Sequence, residues 1–426
     1  MTSTGVEDVE SFRLRLRAWL AENMPKARHR GELIGSSIDS GLPEEEEMMG
    51  DRARQRLLYD GGFAGVCFPV EYGGMGLTPE HQRVFCEELD GYDYPALLQL
   101  PTFVPCAAVL LEFGTHEQKL EHLPRILSGE EVWMQLLSEP SGGSDAAGAQ
   151  TTAFRDGDEW VINGSKIWTS GAWMADWGLA LVRTNPDVGK HAGLTVFMVP
   201  LKAPGIELHR IEMLNGVDDF CQEFFTDVRI PDSYRIGEIN AGWTVGTRWM
   251  YHERTIGGGS PYLTRPAKGN AAEHKRRVVE PAVAVARAAG RLSDPLARQL
   301  IGEAHTLSTV GEALGERLGA LMRNGAMSEH GAGLGRLFNG NARVRATTIG
   351  YELAGSAAAA WEDEDEEVGR NGTEFLVRQA ACIGGGTTEI SANVVSERLL
   401  GMPREQTLDR NVAFRDIPKG PPAGSR

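Results

Sequence analysis

Two nearby blocks carry the most information in this chain: Leu137–Asp145, which reads LSEPSGGSD, and Trp160–Gly171, which reads WVINGSKIWTSG. The first block is rich in turn-forming residues and hydroxyl groups, which predicts a polar loop. The second places apolar residues on both sides of Asn163-Gly164, the dipeptide best suited to the positive φ angles of a type I′ turn. We therefore predict a β-hairpin in the second block, with the polar loop just before it.

Outward from these blocks, the character of the sequence changes twice. Before residue 131, apolar residues recur at helical spacing, as from Val9 to Leu20, and a further helix is predicted from Pro79. Next come short β-branched runs separated by Gly, Pro and Asn, which indicate a compact β-domain. After them the spacing is helical again, with long helices predicted at Leu300–Leu321 and Leu334–Leu353. We therefore predict an α+β fold whose helical, β and helical domains lie at 1–130, 131–245 and 246–426.

Composition and charge limit the classes of partner. A formal net charge of −16 and a pI near 5.2 argue against nucleic-acid binding, which needs a basic face. The chain does not open with a basic segment followed by an apolar one, and we expect no membrane span and a cytoplasmic location. The five cysteines never occur as CxxC, so we expect free thiols rather than disulfides, and no metal site.

Several common catalytic motifs are missing from the sequence. It contains no G-x-G-x-x-G, no P-loop motif and no G-x-S-x-G. These absences argue against a nicotinamide enzyme of the Rossmann type, a P-loop nucleotidase and a serine hydrolase.

Taken together, the two blocks resemble the flavin-binding signature of acyl-CoA dehydrogenases, “TEPxxGSD” followed by “LNGxKxWITNG”. The resemblance implies bound FAD, an acyl-CoA substrate and the family architecture, in which a C-terminal domain like a four-helix bundle follows the β-domain. Matched by position, Leu137 and Ser138 would contact the flavin ring, Trp168 and Ser170 would flank it, and Ser144 would lie by the pyrophosphate or the CoA. For either block alone, an ordinary polar hairpin with core tryptophans is the alternative.

The resemblance also implies a catalytic base. Family members remove the α-proton of the thioester with one carboxylate while the β-hydrogen leaves as hydride. Most carry that glutamate in a C-terminal loop, “YEGTxE”, but a subset similar to isovaleryl-CoA dehydrogenase carries it on a helix, in “xxERxxxxGG”. Here Gly385 stands at the loop position and Glu253 at the helix position.

Glu253 is therefore the implied general base, with Arg254 supporting its charge and the amide of Gly385 donating to the thioester oxygen. We expect desolvation to raise the pKa of Glu253 so that it can act near neutral pH. Without the resemblance, a Glu-Arg pair on a helix would more often be a surface ion pair of little energetic weight.

The loop after Gly385 adds a third part to the implied flavin site. Thr387 and Glu389 match the family's “GTxE”, whose threonine and acidic or amide side chain meet the flavin. Helix N-capping by Thr387 or Thr388 is the alternative explanation. The small residues at 257–260, after the base helix, hint at space for a bulky acyl group.

Two family motifs that bind the adenosine end of FAD across a subunit interface match poorly. The family's “RxxFGxP” corresponds to Arg287–Pro295, which lacks the phenylalanine, and its “QxxGGxGY” corresponds to Glu352–Ala358, which keeps one glycine. The chain would then either bind FAD through altered contacts in a homodimer or homotetramer, or work in a heterotetramer with another acyl-CoA dehydrogenase subunit.

The expected reaction is oxidation of an acyl-CoA to the trans-2-enoyl-CoA, with electrons passed to an electron-transferring flavoprotein. Two alternatives stay open. One is a non-catalytic partner subunit that keeps the fold, which the altered adenosine motifs favour and Glu253 opposes. The other is an oxygen-using flavin oxidase of the same fold.

Overall fold

The computed structural model describes residues 6–27, 44–255, 260–263, 281–360, 366–404, 406–407, 409 and 412–417. Within these ranges, helices come first, an eight-stranded sheet follows, and helices return in the C-terminal part. The predicted α+β fold is therefore confirmed. The glycines at 257–259, part of the hint at a bulky acyl group, lie outside the described residues, whereas Ser260 is buried.

The N-terminal helices have bounds that follow sequence signals. They are α1 (Val9–Asn23), α2 (Glu44–Asp60), α3 (Pro79–Glu88), α4 (Ala96–Pro101), α5 (Ala108–Phe113) and α6 (His116–Ser128). The carboxylate of Asp8 caps α1 by accepting hydrogen bonds from the N–H groups of Glu10 and Ser11. The predicted start of α3 at Pro79 is confirmed, because proline suits the first helical position behind the N-cap Thr78.

One stretch, Ala96–Phe113, has the length and mean hydropathy of a membrane-spanning helix, with a mean of 1.7 over 18 residues. It consists of α4, a π-helix at Thr102–Ala107, and α5. Two thirds of the stretch is buried inside the protein, and the Thr102 hydroxyl donates to the carbonyl oxygen of Trp133 at 3.0 Å. Packing of this kind is typical of the core helix of a globular domain.

The middle of the chain forms one mixed sheet. Its strands are β1 (Trp133–Leu136), β2 (Thr152–Asp156), β3 (Glu159–Ser170), β4 (Trp177–Arg183), β5 (Leu194–Pro200), β6 (Ile206–Ile211), β7 (Phe220–Pro231) and β8 (Arg235–Ile236). Their order is β6-β7-β3-β2-β4-β5-β8, and β1 pairs with β4 in parallel. The long strands β3 and β7 run antiparallel along their whole length.

The prediction of a hairpin turn at Asn163-Gly164 is wrong. β3 runs through this dipeptide, and the turn that joins β2 to β3 lies at Gly157, where φ is +65°. A type I′ turn needs positive φ at both central positions, but of the two residues only Gly164 has it. Instead, the pairing with β7 shifts register here, and a Cβ on Gly164 would lie 2.6 Å from Cα of Thr151. The glycine permits a close approach of two backbones rather than a turn.

The C-terminal helices are α7 (Gly242–Thr255), α8 (Pro295–Arg323), α9 (Ala332–Ala354), α10 (Glu366–Val377) and α11 (Thr388–Val394). The two long predicted helices are confirmed as α8 and α9. Among the described residues, the buried apolar cluster around them is small and consists of Ala286, Ala297, Leu300, Ile349 and Leu353. The sheet and the helices at 96–128 share a much larger core, which reaches Trp249 of α7.

Candidate active site

Hydrogen bonds join the polar loop after β1 to β3. The N–H of Ile167 donates to the carbonyl oxygen of Ser138 at 3.0 Å. Next to it, Lys166 Nζ donates to the carbonyl oxygen of Leu137 at 3.3 Å. The structure therefore brings together the two sequence blocks, with Leu137 and Ser138 beside the strand that carries Trp168.

A buried ion pair behind this loop is the main feature that sequence reasoning missed. Lys166 has no exposed surface, and its Nζ lies 2.7 Å from Oε1 of Glu139. The Glu139 carboxylate also accepts hydrogen bonds from the N–H groups of Gln150 and Thr151. Burial opposes ionisation of Glu139, but the Lys166 charge and these hydrogen bonds lower its pKa overall. Glu139 and Lys166 both occur in the quoted motifs. They are 27 positions apart, however, and the sequence does not indicate that they pair.

Trp168 and Ser170 form an exposed surface at the end of β3. Trp168 is 54% exposed and has a φ of +66°, next to a register shift between β3 and β7. Its indole ring meets Phe220 edge-on, and the Ser170 side chain is exposed two residues further on. An exposed indole on a strand that also carries an exposed hydroxyl fits a flat heteroaromatic ring with polar edges. The flavin isoalloxazine is such a ring.

Side-chain contacts fix α7, the helix that carries Glu253, to α5 and β1. Arg248 forms a two-pronged contact with Glu112 of α5, at 2.7 and 2.9 Å. The Nε2 of His252 lies 2.8 Å from the same carboxylate, and the Trp249 indole N–H donates to the side chain of Gln135 in β1. These contacts orient the last turns of α7, so the Glu253 carboxylate has a defined position.

Glu253 and Gly385, the helix and loop positions of the alternative bases, lie next to each other. A Cβ built on Gly385 would lie 3.9 Å from Oε1 of Glu253. Glu253 is half-buried and close enough to Cys106 of the π-helix that its charge adds to burial in raising the pKa of that thiol. Burial raises the pKa of Glu253 above its usual range, and the charges of Arg254 and Arg336 oppose the rise. The pKa of Glu253 thus has the direction expected of a buried base.

Two further predicted residues, Arg254 and Ser144, are exposed. Arg254 follows Glu253 directly and is exposed. Ser144 is exposed in the loop after β1, where the next residue, Asp145, pairs with Lys190 at 3.0 Å. Both side chains are therefore accessible to a ligand.

Thr387 and Glu389 lie at the start of α11. Thr387 is the N-cap of this helix, since its hydroxyl oxygen accepts a hydrogen bond from the Ile390 N–H at 3.1 Å. Glu389 is exposed and accepts a hydrogen bond from the Thr388 hydroxyl at 3.2 Å. Among the described residues, neither Thr387 nor Glu389 forms a hydrogen bond with the middle sheet. The capping alternative thus accounts for part of the role of Thr387.

The two segments that depart from the family's adenosine motifs contact each other. Arg291, in the first segment, donates to the carbonyl oxygens of Glu352 and Leu353, at 2.6 and 3.2 Å. The same guanidinium pairs with Asp294, the N-cap of α8, at 2.8 Å. A cation at the last carbonyls of a helix is stabilising, so Arg291 fastens the end of α9 to the start of α8.

A second buried carboxyl group, Glu223 of β7, lies in register with Lys166. Its Oε2 accepts a hydrogen bond from the Thr169 hydroxyl at 3.0 Å, while its Oε1 has no partner among the described residues. Burial raises the pKa of Glu223 to about 8, against the hydrogen bond from Thr169. At neutral pH the folded protein therefore holds this group protonated, whereas the unfolded chain ionises it.

A raised folded-state pKa makes the folded protein lose stability as pH rises from about 4.5 to about 8. We expect Glu223→Gln to gain about 2–4 kcal/mol in the free energy of unfolding, relative to the unmodified protein, between pH 5 and pH 8. Chemical denaturation at both pH values measures this difference. Glu207→Gln, at an exposed position on β6, is the control and should show no such trend. Parallel pH profiles for Glu223→Gln and the unmodified protein would contradict the assignment.

Comparison with known proteins agrees with this fold. Residues 7–130 match the family model described as acyl-CoA dehydrogenase, N-terminal domain, and residues 135–228 match acyl-CoA dehydrogenase, middle domain. The acyl-CoA dehydrogenase IpdE1 of Mycobacterium tuberculosis is 32% identical, over 94% of this chain and 99% of the relative. The chain therefore belongs to the acyl-CoA dehydrogenase family and is an oxidoreductase of that family.

Two solved structures are also similar to this chain. The Tcur3481-Tcur3483 steroid ACAD has a TM-score of 0.70 and 27% identity, over 93% of this chain and 98% of the other. The ChsE4-ChsE5 complex from Mycobacterium tuberculosis has a TM-score of 0.68 and 27% identity, over 95% of this chain and 100% of the other. The likeness spans all three regions of the chain, including the C-terminal helices.

Proposed function

We propose that this chain is a catalytic subunit of an FAD-dependent acyl-CoA dehydrogenase that converts an acyl-CoA to the trans-2-enoyl-CoA. One observation carries the proposal: a half-buried carboxylate, Glu253, faces the backbone of Gly385, where the family's alternative base would stand. The loop position, Gly385, lacks the carboxylate, and the carboxylate of Glu253 lies next to that position. A subunit without catalytic activity would have no need to keep a half-buried carboxylate there.

Glu253 acts as the general base towards the α-carbon of the thioester. A thioester α-proton is far less acidic than a carboxylic acid, so the charge that develops on the carbonyl oxygen must be stabilised in the same step. The N–H of Gly385 donates to that oxygen. Burial strengthens Glu253 as a base by raising its pKa, and the charges of Arg254 and Arg336 oppose that rise.

The flavin site is built mainly on the sheet. We assign ring contacts to Leu137, Ser138, Trp168 and Ser170, pyrophosphate or CoA contacts to Ser144, and C-terminal contacts to Thr387 and Glu389. When bound, FAD supplies the acceptor for the β-hydride. The exposed indole of Trp168 and the buried Lys166–Glu139 pair that holds the adjacent loop support this assignment.

The similar structures suggest the substrate class and the assembly. Since one is a steroid dehydrogenase and the other a two-component complex, we infer an acyl-CoA with a bulky polycyclic acyl group and a heteromeric assembly with a second family member. We infer that an electron-transferring flavoprotein accepts the electrons.

The test is an absorbance spectrum of the chain purified alone, followed by anaerobic titration with a panel of straight-chain, branched and steroid acyl-CoA thioesters. Bound flavin that bleaches with at least one thioester supports the proposal. A colourless chain that gains flavin and activity only when co-expressed with a second family member supports the heteromeric form. Bound flavin that no thioester bleaches would contradict a dehydrogenase, and rapid reoxidation by dissolved oxygen alone would favour the oxidase.

A further inference from the structure

Arg336, on α9, binds the loop that carries Gly385. Its Nη1 donates to the carbonyl oxygen of Ala381 at 2.7 Å, and its Nη2 donates to the carbonyl oxygen of Gly384 at 2.6 Å. Its Nε would lie 4.0 Å from a Cβ built on Gly385. The planar fork of the guanidinium therefore spans the loop just before Gly385, a geometry that a lysine could not reproduce.

The carbonyl of Gly384 and the N–H of Gly385 belong to the same planar peptide group. In a trans peptide the two bonds point in opposite directions, so a cation bound to the oxygen leaves the N–H directed away from it. Among the described residues, the Gly385 N–H donates to no backbone acceptor. A hydrogen bond from a charged donor to the carbonyl polarises the peptide, which makes its N–H a stronger donor.

Two glycines make this arrangement possible. A Cβ on Gly340 would lie 2.8 Å from Nη1 of Arg336 and 3.1 Å from the Ala381 carbonyl oxygen, so a side chain there would displace the fork. Gly385 has a φ of +70°, in the left-handed region that glycine adopts without strain. Arg336 therefore contacts the Gly384–Gly385 peptide, and the Glu253 carboxylate lies close to the same peptide.

We propose that Arg336 is a positioning residue for the dehydrogenation, which holds the Gly384–Gly385 peptide in place and polarises the N–H that binds the thioester oxygen. The inference rests on the proposed function, in which that N–H faces the substrate. Arg336 acts through the peptide and does not touch the substrate. Among the described residues, the other titratable groups near Glu253 are Arg254 and the Cys106 thiol. Arg343, two turns along α9, lies near Arg336.

The test compares Arg336→Gln and Arg336→Lys with Arg345→Gln. The last is a matched control on the same helix, because Arg345 pairs with Glu303 and Glu352 rather than with the loop. The probe is the 3-oxoacyl-CoA that corresponds to the acyl-CoA that bleaches the flavin, since it forms an enolate in the site without turnover. Its absorbance as a function of pH gives the pKa of the bound probe.

We expect Arg336→Gln to raise the pKa of the bound probe by about one unit and to lower kcat/KM by about 10- to 100-fold, less than the loss of a whole oxyanion donor. It should also move the acid limb of the pH–rate profile to higher pH, because a positive charge near Glu253 is removed. Arg336→Lys should fall in between, since it keeps the charge but not the fork. Arg345→Gln should match the unmodified protein.

An unchanged pKa of the bound probe in Arg336→Gln would overturn the proposal, whatever happens to turnover. If that variant does not fold, Arg336→Lys decides in the same way. Failure of the proposed function is distinguishable, because the unmodified protein would then neither be bleached by an acyl-CoA nor ionise the probe. In that case the role assigned to Arg336 fails with it.

Discussion

Glu253→Gln should bleach its flavin with acyl-CoA about 10²- to 10⁴-fold more slowly than the unmodified protein, while keeping the flavin. The amide has the same shape as the carboxyl group but cannot accept a proton at working pH. Stopped-flow absorbance under anaerobic conditions measures the rate, and the flavin spectrum before mixing shows whether the cofactor site is intact. Glu207→Gln, at an exposed position on β6, is the control for a general loss of negative charge.

The pH dependence gives a second signature of the same base. A carboxylate accepts a proton only when it is ionised, so the rate of the unmodified protein should fall as pH drops through the pKa of Glu253. Because burial raises that pKa, the limb should lie above pH 4.5, the ordinary value for glutamic acid. Glu253→Gln should lack the limb, and a limb that persists would assign the proton transfer to another group.

Moving the carboxylate from position 253 to position 385 tests whether both positions serve the same proton transfer. A side chain at 385 would begin 3.9 Å from Oε1 of Glu253, so Gly385→Glu in the Glu253→Gln background should restore part of the rate. Full recovery is not expected, because a non-glycine residue at a φ of +70° is strained by about 1–2 kcal/mol. No recovery in a variant that still binds flavin would mean that the two positions do not serve the same proton.

Lys166→Met should lower the free energy of unfolding by about 3–5 kcal/mol and weaken flavin binding. Removing the ammonium leaves the Glu139 carboxylate buried without its counter-charge, and it also removes the donor that holds the Leu137 carbonyl. Chemical denaturation measures the first effect, and flavin release on dilution measures the second. The expected size comes from the burial of the pair, since Lys166 has no exposed surface.

Two further variants distinguish the destabilisation caused by Lys166→Met from the effect of losing an exposed charge. Arg229→Gln breaks an exposed ion pair on β7 with Asp156 and should change stability little. Glu139→Gln combined with Lys166→Met removes both charges and should be less destabilised than Lys166→Met alone. A Lys166→Met protein as stable as Arg229→Gln would show that the buried pair does not hold the loop.

Local signals in the sequence predict much of the fold. α3 starts at Pro79 as predicted, and α8 and α9 occur where the apolar spacing is helical, because these signals act within a few residues. Asn163-Gly164 misled the prediction, because the close backbone of Thr151 requires the glycine and no turn is needed. The domain boundaries at 130 and 245 and the cytoplasmic location stay predictions.

The candidate site is harder to predict from the sequence than the fold is, because its contacts join residues that are far apart in the chain. The family motifs identify Glu253 and Gly385. They do not indicate the hydrogen bond from Arg336 to the Gly384 carbonyl, which joins residues 48 positions apart. Likewise, nothing in the sequence shows that Arg291 reaches the end of α9, 61 positions away. Contacts of this kind depend on how helices pack after they form, and helical spacing alone does not specify that packing.

The C-terminal helices have a small apolar core, so flavin colour and turnover report on different parts of the protein. The proposed flavin ring contacts lie mostly on the sheet, whose core is large. Arg336 and the Gly384–Gly385 peptide lie among the C-terminal helices, whose buried apolar cluster has fewer members in the described part of the chain. The yellow colour of a preparation therefore reports mainly on the sheet, and its turnover on the C-terminal helices. A yellow colour alone therefore does not show that the C-terminal helices are correctly folded.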